Sequence, residues 1–179
     1  DFRSVGYANT MIRPPAEVYR QVTGDSIDGA DLVFQHSFGD TSVTAQIGYG
    51  NASNRQPGDA RVEFKPGLST QVLAEHGPFT ARIGHSRAKF SIVDNLPLNG
   101  LLASLNRVGL APVANALDIS EVDGSFTSVG FTMDYNNVLV QSEYALRRTD
   151  SRVIMDTTSY YAMLGYRTGK FTPYYYYGN

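Results

Sequence analysis

The sequence predicts an all-β protein, a transmembrane antiparallel up-and-down β-barrel. Three observations carry that reading: runs with period-two alternation come in pairs, the connections between them alternate short and long, and aromatic rings flank the short ones. The stretch Thr157 to Tyr177 shows all of this locally. Thr158, Tyr160, Ala162, Leu164 and Tyr166 share one parity, and Ser159, Tyr161, Met163, Gly165 and Arg167 share the other. Thr168-Gly169-Lys170 supplies a turn, because glycine takes a positive φ without steric penalty, and Phe171, Pro173, Tyr175 and Tyr177 resume the apolar parity.

Residues 1–28 lack a sustained period, and Pro14-Pro15 forbids a central strand or helix interior there, so this segment reads as a structured loop with an extended piece near Val5 to Ala8. Ala30 to Phe38 alternates, Gly39-Asp40 turns the chain, and Thr41 to Gly50 returns with Val43, Ala45, Ile47 and Tyr49 on one side. Asn51 to Asp59, with Pro57-Gly58 inside it, marks a loop. Arg61 to Glu75 is the longest alternation: Val62, Phe64, Leu68, Val72 and Ala74 on one face, Arg61, Glu63, Lys65, Ser69, Gln71 and Glu75 on the other. Pro66-Gly67 interrupts it, which predicts a bend or bulge. After His76-Gly77-Pro78, Phe79, Ala81 and Ile83 oppose Thr80, Arg82, Gly84 and Ser86.

The segment 93–123 breaks the rhythm. Mixed three and four spacing over Leu101 to Leu117, interrupted at Pro112, predicts a short helix or two within a long loop. Strands resume with Ser125 to Tyr135, turn at Asn136-Asn137, and return from Val138 to Arg147. In an up-and-down meander every second connection lies at the same end, so all the tight turns fall on one side. Phe38, Phe79, Tyr135, Tyr166 and Phe171 beside those turns would form one aromatic girdle at a membrane interface.

Composition narrows the classes. The 179 residues contain no cysteine and no tryptophan, which removes disulfides, thiol chemistry and cysteine-ligated metals. A net charge of −2 gives no basic face for nucleic acid. No apolar run approaches the roughly 20 residues of a membrane-spanning helix, whereas alternating strands average out to the observed mean hydropathy of −0.24. No charged-then-apolar signal segment opens the chain, so either a signal has been removed or the sequence starts partway along a longer protein.

With those elements in place, four segments carry a resemblance. Val5-Gly6-Tyr7-Ala8, the run Arg13-Pro14-Pro15-Ala16-Glu17-Val18-Tyr19 and Asp28-Gly29-Ala30-Asp31-Leu32, together with the hairpin Leu164 to Tyr174, resemble the Gram-negative outer-membrane general porins, the proteobacterial trimeric porins. The resemblance implies location in the cell outer membrane of a Gram-negative bacterium and passive diffusion of small hydrophilic solutes and ions. It also implies a homotrimer in contact with outer-membrane lipid and lipopolysaccharide, without cofactor, metal, catalytic group or nucleic acid. Residues 1–28 would match the constriction loop and 93–123 a long extracellular loop. About eight strands are read here where the family's barrels have about 16, which implies an internal fragment of one porin domain spanning 1–179. The alternatives are a small eight-stranded outer-membrane barrel without an open pore and a soluble or surface-exposed β-sandwich that binds a partner.

The charges on the polar parity are the candidate pore lining: Asp31, Arg61, Glu63, Lys65, Arg82, Asp134, Glu143, Arg147 and Arg167, with Glu75 beside them. A solvated outer face of a soluble sheet would carry the same charges. Arg13 and Glu17 beside the stiff Pro-Pro are candidates for the constriction loop, set against ordinary rim charges, with Arg3 and Arg20 weaker. His36, His76 and His85 lack metal-ligand spacing, and His85 and Ser86 point to opposite faces of a regular strand, so they make no direct Ser-His pair. His36 and His85 fall on the lipid-facing parity, where His85 has no evident role.

Overall fold

The computed structural model describes residues 28–55 and 60–179; the constriction-loop assignment of Arg13 and Glu17, within 1–28, lies outside them. The described residues are all-β apart from one connection. Its strands are β1 (Asp28–Phe38), β2 (Thr41–Arg55), β3 (Arg61–His76), β4 (Phe79–Val93), β5 (Val122–Tyr135), β6 (Val138–Thr149), β7 (Thr157–Tyr166) and β8 (Tyr174–Gly178), with helices α1 (Leu96–Arg107) and α2 (Ala111–Leu117) between β4 and β5. All strands lie in one eight-stranded antiparallel sheet in sequential order β1 to β8. The sheet is open, with β1 and β8 as its edges, and the strands form neither a two-sheet sandwich nor a closed eight-stranded barrel.

Short turns join the strands at one end. Gly39 and Gly77 take positive φ, and Asn136 and Asn137 both do, as a two-residue hairpin whose twist matches the flanking strands requires. The last hairpin departs from expectation. A Thr168–Phe171 bridge closes the turn around Gly169, but β8 begins only at Tyr174, because Pro173 has no N–H to donate to the ladder. At the other end, β2 continues through Asn51 to Arg55, where a loop was expected; β3 is equally long and pairs Asn54 with Val62 and Arg55 with Arg61.

The break at Pro66-Gly67 is a bulge, and it changes the faces. Between the pairs Phe64–Phe90 and Leu68–Arg87, β3 holds Lys65, Pro66 and Gly67 while β4 holds only Ala88 and Lys89. One extra residue reverses the alternation beyond that point. Val62 and Phe64 therefore join Phe90 and Ile92 on the face that builds the interior, and do not share a face with Leu68, Val72 and Ala74 as the unbroken alternation predicts.

That inner face carries both core clusters. Leu139, Ala145, Tyr161 and Met163 of β6 and β7 pack with Phe126 and Tyr176. Val62, Phe90 and Ile119 pack with Phe64, Ile92, Leu98 and Ile154, which brings the β4–β5 connection onto the sheet. A hydrogen bond from Ile92 N–H to the Ile119 carbonyl, 2.9 Å, fixes it there. Asn95 caps α1 by accepting from the Leu98 N–H. Pro112 begins α2 instead of interrupting a helix, since its missing N–H falls among the unpaired donors of the first turn.

Candidate functional site

The period-two pattern sorts side chains onto two faces, each with its own apolar and polar zones. On the outer face the cross-strand row Val72, Ile83, Val129, Tyr144, Tyr160 runs without a break across five strands, and the next row runs Ala74, Ala81, Phe131, Ser142, Ala162. These apolar side chains are uncovered: Leu32 is 69% exposed, Leu164 57% and Ile83 52%. At the short-turn end of this face Phe38, Phe79, Tyr135 and Tyr166 are exposed, with Phe171 in the adjoining turn.

On the inner face one polar row holds the tightest cluster. Arg82 pairs with Gly130, Gly130 with Glu143, and Glu143 with Tyr161. Glycine at the middle position leaves a gap through which Arg82 Nη2 reaches Glu143 Oε2 at 2.6 Å, two strands away. A Cβ at Gly130 would stand 2.5 Å from Arg82 Nε. Glu143 is buried, its side chain 3% exposed, and also accepts from the Ser128 and Tyr161 hydroxyls. Gln141 Nε2 donates in turn to the Tyr161 hydroxyl at 3.0 Å. Full pairing is what lets a carboxylate stay buried.

The other candidates distribute over both faces. Asp134 and Arg167 form a two-pronged ion pair at the short-turn end, 2.6 and 2.8 Å. Asp31 accepts from Gln46 at 2.9 Å. Arg147 donates from Nη2 to Thr157 Oγ1 at 2.9 Å and to the Met155 carbonyl at 3.4 Å. Arg61, Glu63 and Lys65 need correction: the bulge turns them to the face opposite Arg82. There Arg61 pairs with Glu63 and Asp94, and Lys65 with Glu121. Lys65 donates a hydrogen bond to Glu121 in the β4–β5 connection and holds its carboxyl below the usual carboxylate range.

The histidines all lie on the outer face. His36 packs between the rings of Phe34 and Phe38, His76 Nδ1 lies 2.8 Å from Thr41 Oγ1, and His85 Nδ1 lies 2.8 Å from Thr127 Oγ1. Among the described residues no group of three or more His, Asp or Glu is placed to hold a metal ion. No family model matches the chain, and no curated protein or solved structure matches it. Gly130, Ser128, Gln141 and Tyr161 are the residues of the inner cluster that sequence reasoning missed. Their only trace in the sequence is that all share the polar parity of Arg82 and Glu143.

Proposed function

We propose that this chain forms part of the wall of an outer-membrane porin, a water-filled channel through which small hydrophilic solutes and ions diffuse. The observation that carries the reading is the unbroken apolar band of the outer face, from Val72 through Ile83, Val129 and Tyr144 to Tyr160, set against an inner face that holds the Arg82–Glu143 and Arg167–Asp134 pairs at the same level and below it toward the short turns. A surface of that size in water invites association, whereas hydrocarbon solvates it. Rings beside the short turns fit the level of lipid headgroups. The order of connections fits short turns on one side of a membrane and long loops on the other.

On this reading Asp31, Arg82, Asp134, Glu143, Arg147 and Arg167 line the lumen, and a passive conduit requires no catalytic group or cofactor. The partners are outer-membrane lipid and lipopolysaccharide and further copies of the chain in a homotrimer. Further strands beyond β1 and β8 would close the wall. The test is conductance of the full-length parent protein in planar bilayers: discrete open steps are expected, and their absence at any protein concentration removes the channel.

A further inference from the structure

At the long-connection end the inner face lines a half-open cavity of about 610 Å³, within the range of small-molecule sites. Its wall is unlike the rest of that face. The β3 bulge turns Val62 and Phe64 inward, and with Phe90, Ile92, Phe126 and Ile154 they make one apolar side. Gly124 keeps this side open against Phe90, whose Cε1 would lie 2.9 Å from an added Cβ.

Among the described residues three charged ones line the cavity: Asp31 and Arg147, which share one inner cross-strand row, and Arg87, which is cross-strand from Leu68 and so belongs to the outer face. Asp31 already accepts from Gln46, and Arg87 pairs with Asp123 at 3.1 Å. Arg147 differs from them. Its two hydrogen bonds both leave from Nη2, its Nε is buried without a partner, and among the described residues no carboxylate lies within ion-pair distance of it. Arg82, Arg61, Arg148 and Arg167 each have such a carboxylate. A guanidinium presents a planar fork to a carboxylate, and one held without a counter-charge beside an apolar pocket favours an anion that carries an apolar body.

We infer that this cavity binds small organic carboxylates with an aromatic or branched apolar body, the carboxylate on Arg147 and the body against Phe64, Phe90 and Phe126. The site adds a solute class to the channel reading and depends on it only for how solutes arrive. Binding is therefore measured apart from conductance, so that loss of one leaves the other standing.

The experiment is calorimetric titration of the folded full-length protein in detergent with benzoate, benzyl alcohol and acetate. Benzoate is expected to bind, with benzyl alcohol and acetate each about tenfold weaker or worse, since one lacks the charge and the other the body. Arg147→Gln should weaken benzoate about tenfold and leave benzyl alcohol unchanged, and Arg147→Lys should recover part of the loss. Ser86→Leu, cross-strand from Phe126 in the row of Arg147, intrudes where the ligand's body would meet Phe126 with Arg147 intact and should weaken benzoate binding, which decides the matter if Arg147→Gln does not fold. Absent benzoate binding, equal binding of benzyl alcohol, or full affinity in either Arg147→Gln or Ser86→Leu overturns the site.

Discussion

Arg82 crosses Gly130 to reach Glu143, and the pair is possible only because the residue between them has no side chain. Replacing Gly130 with alanine puts a Cβ 2.9 Å from Arg82 Cγ as well as against Nε, so the side chain must leave its path near its base, where it cannot simply swing aside. Glu143 then stays buried with its cationic partner displaced. Breaking a buried pair from one side typically costs about 3–5 kcal/mol. Gly130→Ala is expected to lower the unfolding temperature of the folded protein in detergent, and Gly130→Ala with Glu143→Gln to recover much of the loss. Additive losses in that double mutant would mean the two residues are not coupled through Arg82.

Arg167 and Asp134 are both about half exposed, so water screens their pair and it contributes little to stability despite its geometry. Arg167→Glu should therefore fold. In a salt gradient it should move the reversal potential of the reconstituted parent toward cations, because a positive lumen charge has become negative. Arg61→Glu and Lys65→Glu serve as the comparison, since the bulge places them outside. Their reversal potential is expected to stay at the wild-type value, and a shift as large as that of Arg167→Glu would show the face exchange to be wrong.

These two cases mark how far the sequence was legible. The alternation of Thr157 to Tyr166 survives intact, with Ser159, Tyr161, Met163 and Gly165 buried and their neighbours exposed, because nothing interrupts the ladder there. The interruption at Pro66-Gly67 was also legible. Its consequence was not, since a bend and a one-residue bulge leave the same residues in the sequence but opposite faces beyond them. The Arg82–Glu143 pair lies outside local reading altogether: the partners are 61 residues apart, and only the registers of β4, β5 and β6 together bring them into one row.

Lys65 of β3 and Glu121 of the β4–β5 connection give a pH dependence. The hydrogen bond and charge of Lys65 depress the Glu121 carboxyl in the folded protein, so it loses its proton more readily folded than unfolded. The contribution to holding the connection onto β3 is therefore complete above the ordinary carboxylate range and fades as pH falls through the depressed folded value. Carboxyl chemical-shift titration should place Glu121 below a free glutamate, and Lys65→Met should return it to the ordinary range. An unchanged midpoint in Lys65→Met removes Lys65 as the cause.

Ile83 and Thr132 test the two faces directly. Ile83 sits in the middle of the apolar row between Val72 and Val129, and Thr132 faces inward in the row of Thr80 and Gln141. If the outer face meets hydrocarbon, Ile83→Arg places a guanidinium there at a cost of about 2–4 kcal/mol near the bilayer midplane. Thr132→Arg adds a charge to a polar wall, where water solvates it. Folding of the full-length parent into lipid vesicles, followed by protection from protease, should fall sharply for Ile83→Arg and remain near wild type for Thr132→Arg. A water-exposed sheet predicts the reverse for the first change, because a charge on an uncovered apolar face raises solubility and disfavours edge and face association. Vesicle-folding yields equal to wild type for Ile83→Arg, with improved solubility in detergent-free buffer, would therefore take this face out of the membrane and the channel reading with it.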